Sequence, residues 1–247
     1  MQLMISVCMA TYNGEKYVVD QLKSILSQIG CDDEVIVSDD GSKDKTMEVI
    51  RSLKDDRIKV YANQGTHGFT HNFENALRHA SGEYIFLSDQ DDVWAQDKVS
   101  ETLKVLDRVD FAISDCITVD ADMNELQKSR VDYFDLKLGF FRHLIKSRFL
   151  GCCMAFRRNV LMASLPFPKN DFLVEHDIWL AAVAFCYFKS EIIRKPLIYY
   201  RRHGKNVSEG GFGKGYSFFV KIQKRVYRLW HLAKIRNRVI KIRKGEL

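Results

Sequence analysis

The stretch YIFLSDQDDVW, residues 84–94, sets four residues fit for a buried strand, Tyr84 to Leu87, against a cluster holding Asp89, Asp91 and Asp92. Like charges about 4 Å apart cost roughly 1 kcal/mol in water and about 4 kcal/mol near a protein surface. Stability alone does not favour such a cluster. A positive partner from outside the sequence is implied.

Working outward, apolar β-branched runs alternate with helical patterns. Strand signals fall at 3–10 (LMISVCMA), 34–39 (EVIVSD), 58–63 (IKVYAN) and 110–115 (DFAISD). Between them, 17–28 reads as a helix with Val18, Leu22, Ile25 and Leu26 on one face, 44–53 as a helix capped by Asp44, and 69–80 and the stretch from Gln96 to Leu106 as two more. This alternation predicts an α/β fold with a mostly parallel central sheet and helices on both faces. Ligands in such folds bind beyond the carboxyl ends of the strands. The loops TYNGE (11–15), SDDGSKDKT (38–46), NQGTHG (63–68) and SDQDD (88–92) are therefore expected to line one cleft. The second half is less regular, with a turn at Pro166 and Pro168 and a helix over 175–188.

With 247 residues, 46% hydrophobic and only 3 prolines, the chain is long and apolar enough to bury a core, which excludes a disordered class. Its six cysteines (Cys8, Cys31, Cys116, Cys152, Cys153, Cys186) show no CxxC spacing and read as reduced packing residues of a cytoplasmic protein. The first residues lack the basic flank and cleavage site of a signal peptide, and no apolar run approaches membrane-span length. The net charge of +6 is unevenly spread: from Lys214 onward eleven basic residues face the single acid Glu246, so the tail carries +10 and the body −4.

Asp89 and Asp91 form an Asp-x-Asp at a strand end. Hard oxygen ligands suit Mg²⁺ or Mn²⁺, usually held by one or two carboxylates with substrate phosphates completing the shell. A divalent cation there stabilises a diphosphate leaving group as its charge develops. Asp-rich loops also make turns and cap helices, and that reading stays open. Asp39 and Asp40 form a second acidic pair at a strand end. A carboxylate there accepts from a base N–H or a ribose hydroxyl, or builds an Asp-Gly turn with Ser42 and Asp44 as caps. Asp177 lies near a helix start, where the dipole favours its charged form and keeps it a competent base; a simple capping acid would look the same.

Together, SVCMATYNG, VIVSDDGSKDKT, NFENAL, YIFLSDQDDVW, GCCMAFRR, EHDIWL and YRRHGKNVS resemble glycosyltransferase family 2, the inverting nucleotide-sugar transferases with a GT-A fold. Within it, LSDQDDVW followed by Lys98, then HDIW and YRRHGKNVS, resemble the bacterial rhamnosyltransferase-like branch. Coverage runs from Ile5 to Ser208. The resemblance implies that Thr11, Tyr12 and Asn13 edge the nucleotide pocket, that Asp39 reads the pyrimidine beside Asp40, and that Asn72 and Lys98 belong to the donor site. It implies that Asp89 approaches the ribose or the metal, that Asp91 is the direct metal ligand, and that Asp177 is the catalytic base. Many members carry a Glu-Asp pair where this chain has His176 and Asp177, with Glu175 a weaker substitute. His203, with Arg201 or Arg202, is expected to contact the metal or diphosphate, unless it is a hydrogen-bonded loop histidine. Gly151 and Cys152 are expected to bring backbone close to the donor sugar or acceptor, whereas Trp179 reads as core.

On this resemblance, residues 1–115 form the nucleotide-sugar half, 116–213 the half carrying the base and the acceptor site, and 214–247 a basic tail outside the family. The expected partners are a dTDP- or UDP-sugar donor and a glycan or lipid-linked glycan acceptor of cell-surface polysaccharide synthesis. In the tail, Phe218, Ile222, Val226, Leu229, Trp230 and Ala233 fall at helical spacing with Lys221, Lys224, Arg225 and Arg228 between them. Such a basic amphipathic helix lies on an anionic bilayer, here at the inner face of the cell membrane, or packs on the body with a solvated basic face. Nucleic acid is not an expected partner, because the acidic body lacks a recognised motif. Two rivals remain: a sugar-nucleotide nucleotidyltransferase, whose class has a Gly-rich, Arg-containing loop where this chain has ATYNGEKY, and a catalytically silent sugar-nucleotide or membrane adaptor.

Overall fold

A computed structural model describes residues 3–204 and 216–246. The predicted series is present: β1 (Ile5–Thr11), α1 (Val18–Leu26), β2 (Glu34–Asp39), α2 (Thr46–Ser52), β3 (Ile58–Ala62), α3 (Phe69–His79), β4 (Tyr84–Asp89), a short β5 (Val93–Trp94) and α4 (Lys98–Leu106). Strands β1, β2 and β4 are buried almost throughout. Burial on both faces is the condition for a parallel sheet clad by helices, and it explains why these strands read as continuous apolar runs.

The remaining elements are β6 (Phe111–Val119), β7 (Glu125–Gln127), α5 (Arg130–Tyr133), α6 (Phe140–Ile145), a 3₁₀ turn at Gly151–Cys153, β8 (Met154–Arg157), α7 (Arg158–Ser164), α8 (His176–Tyr187), β9 (Ser190–Arg201) and α9 (Phe218–Arg243). The sheet order is β3-β2-β1-β4-β8-β6-β9-β5, with β7 paired to β6. Strands β3, β2, β1 and β4 are mutually parallel. Strand β8 is antiparallel to both β4 and β6, and β6 is parallel to β9. Hence β1, β2, β4, β6 and β9 all end at one edge of the sheet, and the turn leading into β8 starts there.

Two sequence expectations need correction. The strand expected over 110–115 extends to Val119. The antiparallel insertion of β8 between β4 and β6 was not foreseen, because MAFR is too short to show a period.

The tail helix packs on the body, but not with the solvated basic face that the packing alternative expected; the apolar stripe is outside, as the bilayer alternative has it. Lys224, Arg228, Leu232, Ile235, Val239 and Ile242 are buried, whereas Phe218, Ile222, Val226, Leu229 and Trp230 are exposed. Basic side chains can enter because they have acceptors: Arg225 donates to the carbonyls of Leu144 and Ile145, and Arg228 to that of His143, at the C-terminal turn of α6. Unsatisfied carbonyls and the negative end of the helix dipole meet there. Tyr187 Oη also donates to Leu232 O at 2.8 Å. Lys214 lies outside the described residues, as do Lys205 to Ser208 of the YRRHGKNVS motif.

At the amino edge of the sheet, Glu34 is buried and accepts from Ser6 Oγ, Ser81 N, Ser81 Oγ and Lys59 Nζ at 2.5–2.8 Å. Burial alone would raise its pKa, but these donors outweigh it and bring it down to about 2. Nearby, Gly82 packs against β1 so closely that a Cβ would lie 2.7 Å from Met4 O and Ser6 N. Both obstacles are backbone. Gly82→Ala is therefore expected to destabilise the fold by about 1–3 kcal/mol, the usual cost of overpacking, and a urea midpoint equal to that of the parent would refute this contact.

Candidate active site

The first three loops are tied together before any ligand is considered. Thr11 Oγ1 donates to Asp39 Oδ1 at 2.9 Å, and Asn13 Oδ1 accepts from Lys43 N at 2.8 Å. Gln90, between the two acids of the Asp-x-Asp, accepts from Tyr12 N and donates to Tyr12 O, each at 3.0 Å. Its side chain occupies the space beside Gly14, where a Cβ would be 2.2 Å from Gln90 Oε1. Asn72, also buried, donates to Thr11 O and accepts from Ser38 Oγ, so it holds the ends of β1 and β2 together from beneath.

Asp39 behaves as the turn-forming acid. Its oxygens take the N–H groups of Gly41 and Ser42, the Ser42 hydroxyl and the Thr11 hydroxyl. Asp40 accepts from Asn63 Nδ2 at 2.7 Å and Gly68 N at 2.8 Å, with His67 Nδ1 at 3.0 Å. The pair therefore fastens the loop after β2 to the loop after β3. Tyr12 and Asn13 remain exposed on the rim.

The Asp-x-Asp ends β4 at the convergent edge. Its acids lie in a crowded setting: Asp89 and Asp91 are half-buried, and Asp92 is fully buried. Burial first, and then the charge of Asp91, push the Asp89 carboxyl up to about 7. Asp92 is pushed up by burial, then by Asp91 and Asp89. Asp92 Oδ1 accepts from Arg201 N at 3.0 Å, while its Oδ2 is buried without a protein partner. Asp91 Oδ2 faces His203 Nε2 at 2.8 Å, with the His203 ring stacked on Tyr17 at 5.0 Å between centroids. His203 thus pairs with the acidic cluster from just beyond β9, as a hydrogen-bonded histidine would. Arg201 is buried, donates to Asp91 O at 2.9 Å, and has its guanidinium 4.4 Å from the Tyr17 ring centroid. The Arg202 backbone N–H donates to Val119 O at 2.7 Å, which holds that residue at the same edge.

The turn before β8 joins this cluster to the start of α8. Ligand atoms of Asp89, Asp92 and Cys152 lie within 4.8 Å of one another. One residue back, a Cβ on Gly151 would lie 3.5 Å from Asp177 Cβ and 2.8 Å from His176 Nε2. Asp177 is half-buried in the first turn of α8, and its Oδ1 accepts from Ile178 N at 2.6 Å. Its carboxyl is pushed up to about 7 by burial, then by the charges of Glu175 and Asp89. That Asp89 contributes places the two acids in one electrostatic neighbourhood. Glu175 is the N-cap residue of α8. Lys98 is fully buried behind the turn, donating to Cys152 O at 3.4 Å with its ammonium 5.0 Å from the Trp94 ring centroid. It acts on the cleft through the position of that turn. Trp179 is core, its Nε1 donating to Ser164 O at 2.9 Å.

The residues present fit a divalent cation. Two half-buried carboxylates, a buried unpartnered carboxylate oxygen and an imidazole meet at one strand end, and burial, then the charge of Asp91, raises the pKa of Asp89. A cation reverses that penalty. Asp92, Gln90 and Tyr17 contact this cluster and were not assigned roles in the motif reading. Asp92 was visible in the quoted cluster, but its burial and its bond to Arg201 came only from the fold.

The family model described as glycosyl transferase family 2 matches residues 6–165, and the chain belongs to that family. It is 29% identical over 213 residues to a dTDP-rhamnosyl transferase, RfbG, of Shigella flexneri, covering 80% of this chain and 72% of that one. It is 31% identical over 103 residues to WfgD of Escherichia coli, a UDP-Glc:alpha-D-GlcNAc-diphosphoundecaprenol beta-1,3-glucosyltransferase, covering 42% of this chain and 41% of that protein. The aligned part is thus less than half of that relative. Among solved structures, Staphylococcus aureus TarS 1-349 in complex with UDP-GlcNAc superposes with a TM-score of 0.69 at 18% identity, over 95% of this chain and 72% of that one. At that identity the likeness shows the fold, a GT-A fold.

Gly151→Ala is expected to displace His176 and lower the melting temperature, a cost of about 1–3 kcal/mol. Combining it with His176→Ala removes the obstacle and is expected to recover most of that loss in a double-mutant cycle. Strictly additive losses would show that the Gly151–His176 approach is not real.

Proposed function

We propose that this chain is a metal-dependent inverting glycosyltransferase that moves a sugar, with rhamnose the favoured candidate, from a nucleoside-diphosphate sugar to a hydroxyl of a glycan or lipid-linked glycan. One observation supports the reading: the Gly151–Cys153 turn passes close to Asp177 at one residue and carries Cys152 beside Asp89 and Asp92 at the next, as expected if a base carboxylate and a cation-holding group serve one reaction. Rhamnose rests on the likeness to a dTDP-rhamnosyl transferase, and the lipid-linked acceptor on the printed acceptor of the Escherichia coli relative.

In this mechanism Tyr12 and Asn13 edge the nucleotide, while Asp39, Asp40 and Asn72 hold the pocket's shape. Asp89 and Asp91, with His203 beside them, would hold Mn²⁺ or Mg²⁺, which supplies positive charge at the diphosphate. The backbone of Gly151 and Cys152 lies between donor and acceptor. Asp177 takes the proton of the acceptor hydroxyl as its oxygen bonds to the anomeric carbon. The carbon–oxygen bond to the diphosphate breaks on the opposite side, and the nucleoside diphosphate leaves with the electron pair. One protein base suffices for a single inverting displacement. The electrostatics suit that role, because a carboxylate with a raised pKa is a stronger base than a solvated one.

The decisive experiment is hydrolysis and transfer from a panel of dTDP- and UDP-sugars with and without Mn²⁺, beside thermal-shift binding. Asp177→Asn is expected to reduce transfer by at least about 10³-fold, at the upper part of the range for loss of a general base, while donor binding is kept. Unchanged turnover would remove Asp177 from the mechanism, and binding of UDP-sugars but no dTDP-sugar would remove rhamnose.

The pH profile follows from the raised pKa of Asp177. A base works when deprotonated, so kcat/KM is expected to rise about tenfold per pH unit below about 7 and to level off above it. Glu175→Gln removes a neighbouring negative charge and should move that limb to lower pH. A limb that stays in place would assign the titration to another group.

A further inference from the structure

We propose that the exposed face of α9 docks on an anionic lipid surface and thereby sets the acceptor side of the cleft against the membrane plane. This rests on the transferase reading above and deepens it by naming how a lipid-linked acceptor reaches Asp177.

The helix has two apolar stripes, and only one of them is buried. Leu232, Ile235, Val239 and Ile242 close against the body. The other stripe, Phe218, Phe219, Ile222, Val226, Leu229 and Trp230, points away from it, with Phe219 81%, Val226 59% and Trp230 50% exposed. Along this stripe an apolar groove of about 440 Å³ is floored by Leu173 and walled by Phe219, Ile222, Val226, Tyr227 and Trp230. A contiguous apolar patch of this kind marks an interaction surface, whereas scattered exposed hydrophobics need no explanation. From Phe218 to Trp230 it is about 18 Å long at 1.5 Å per residue.

Charge selects the occupant. The 26 residues of α9 contain nine basic side chains and no acid. Lys221, Lys234 and Arg236 flank the apolar stripe in solvent, and the Lys234 ammonium lies 3.4 Å from the Trp230 ring centroid. A second copy would bring two such helices face to face and set like charges against each other. An anionic bilayer accepts the aromatics at its interface and the cations at its headgroups. No described helix is long and apolar enough to cross a membrane, so contact through this helix would be in the interface plane.

The patch adjoins the acceptor side of the cleft. The Lys224 ammonium lies 4.0 Å from the Tyr216 ring centroid and 4.9 Å from that of Phe172. Its charge is felt by Glu175, two residues before Asp177. Phe172 and Tyr216 are themselves exposed, so apolar surface continues from the helix to the start of α8. A sugar carried on a lipid would arrive beside the candidate base, with no need to leave the surface.

The test uses the full chain and vesicles of pure phosphatidylcholine or of phosphatidylcholine with phosphatidylglycerol. Cosedimentation is expected with the anionic vesicles, reversed by high salt. Binding to phosphatidylcholine alone should be weaker by on the order of a hundredfold, given three exposed flanking cations. Trp94 and Trp179 are buried, so a blue shift of tryptophan emission on binding reports Trp230. Ile222→Asp with Val226→Asp, at exposed positions, should leave the melting temperature and nucleotide-sugar hydrolysis unchanged, abolish vesicle binding and lower transfer to a lipid-linked acceptor. Absence of vesicle binding, equal binding to both vesicle types, or a dimer in solution that the double variant dissociates would each overturn the proposal. Vesicle binding without any sugar-nucleotide turnover would leave the docking intact and sink the transferase reading alone.

Discussion

Repulsion among carboxylates at the end of β4 is the constraint around which the second half of the chain is arranged. Asp89, Asp91 and Asp92 occupy adjacent positions at a buried strand end, where charge is poorly solvated and the Asp89 carboxyl is driven to about 7. Three groups from two distant segments converge to manage them. Strand β9 delivers the Arg201 N–H to Asp92 and the His203 ring to Asp91, and the turn before β8 delivers Cys152. All three arrive at one place because β9 runs parallel to β4 in the sheet while β8 runs against it. The relief is partial, since Asp92 Oδ2 keeps no protein partner and Asp89 keeps its raised pKa. A cation held by these acids, as proposed above, would remove that residual penalty.

The same arrangement explains the glycine at 151. Any side chain there would meet the His176 ring and crowd Asp177, so the turn can pass between the acidic cluster and the head of α8 only as bare backbone. Lys98 supports that turn from behind through the Cys152 carbonyl. Its burial lowers its own pKa, while the thiols and Asp92 around it work in the opposite direction. The lysine is thus a buried prop whose position depends on the acids it faces, which ties α4 to the cleft without placing its ammonium in the cleft.

Much of this was legible in the residues. The runs in β1, β2 and β4 gave the parallel core because strands buried on both faces leave unbroken apolar segments, and the loops at their carboxyl ends had to share an edge. The Asp-x-Asp was readable as a place where stability is sacrificed. What periodicity could not supply was β8, four residues inserted from the second half, and with it the adjacency of Cys152 to Asp89. The tail left two readings open for a related reason: helical spacing identifies an apolar face but not which face the body covers, and here Arg225 and the buried Arg228 satisfy the end of α6 while the apolar stripe stays outside. Asp39 and Asp40 show the limit of motif reading, since the turn and the nucleotide-facing roles use the same residues and only the hydrogen bonds reveal how fully the turn occupies them.

His176 completes the electrostatic account of Asp177. It is buried, stacked on Phe73 at 4.2 Å between ring centroids, and neither ring nitrogen has a protein partner. Burial lowers its pKa to about 3, so it is neutral wherever Asp177 titrates. Relatives by resemblance often carry a glutamate at this position. In this chain such a carboxylate would sit in an aromatic pocket with no donor to receive it, and would add a further negative charge beside Asp177. A neutral ring therefore leaves Glu175 and Asp89 as the charges that raise the Asp177 carboxyl. Glu175, with Lys224 nearby, is the one of the two whose own charge a basic side chain of α9 moderates. The docking of the tail helix and the basicity of Asp177 are in this way physically linked through a single lysine.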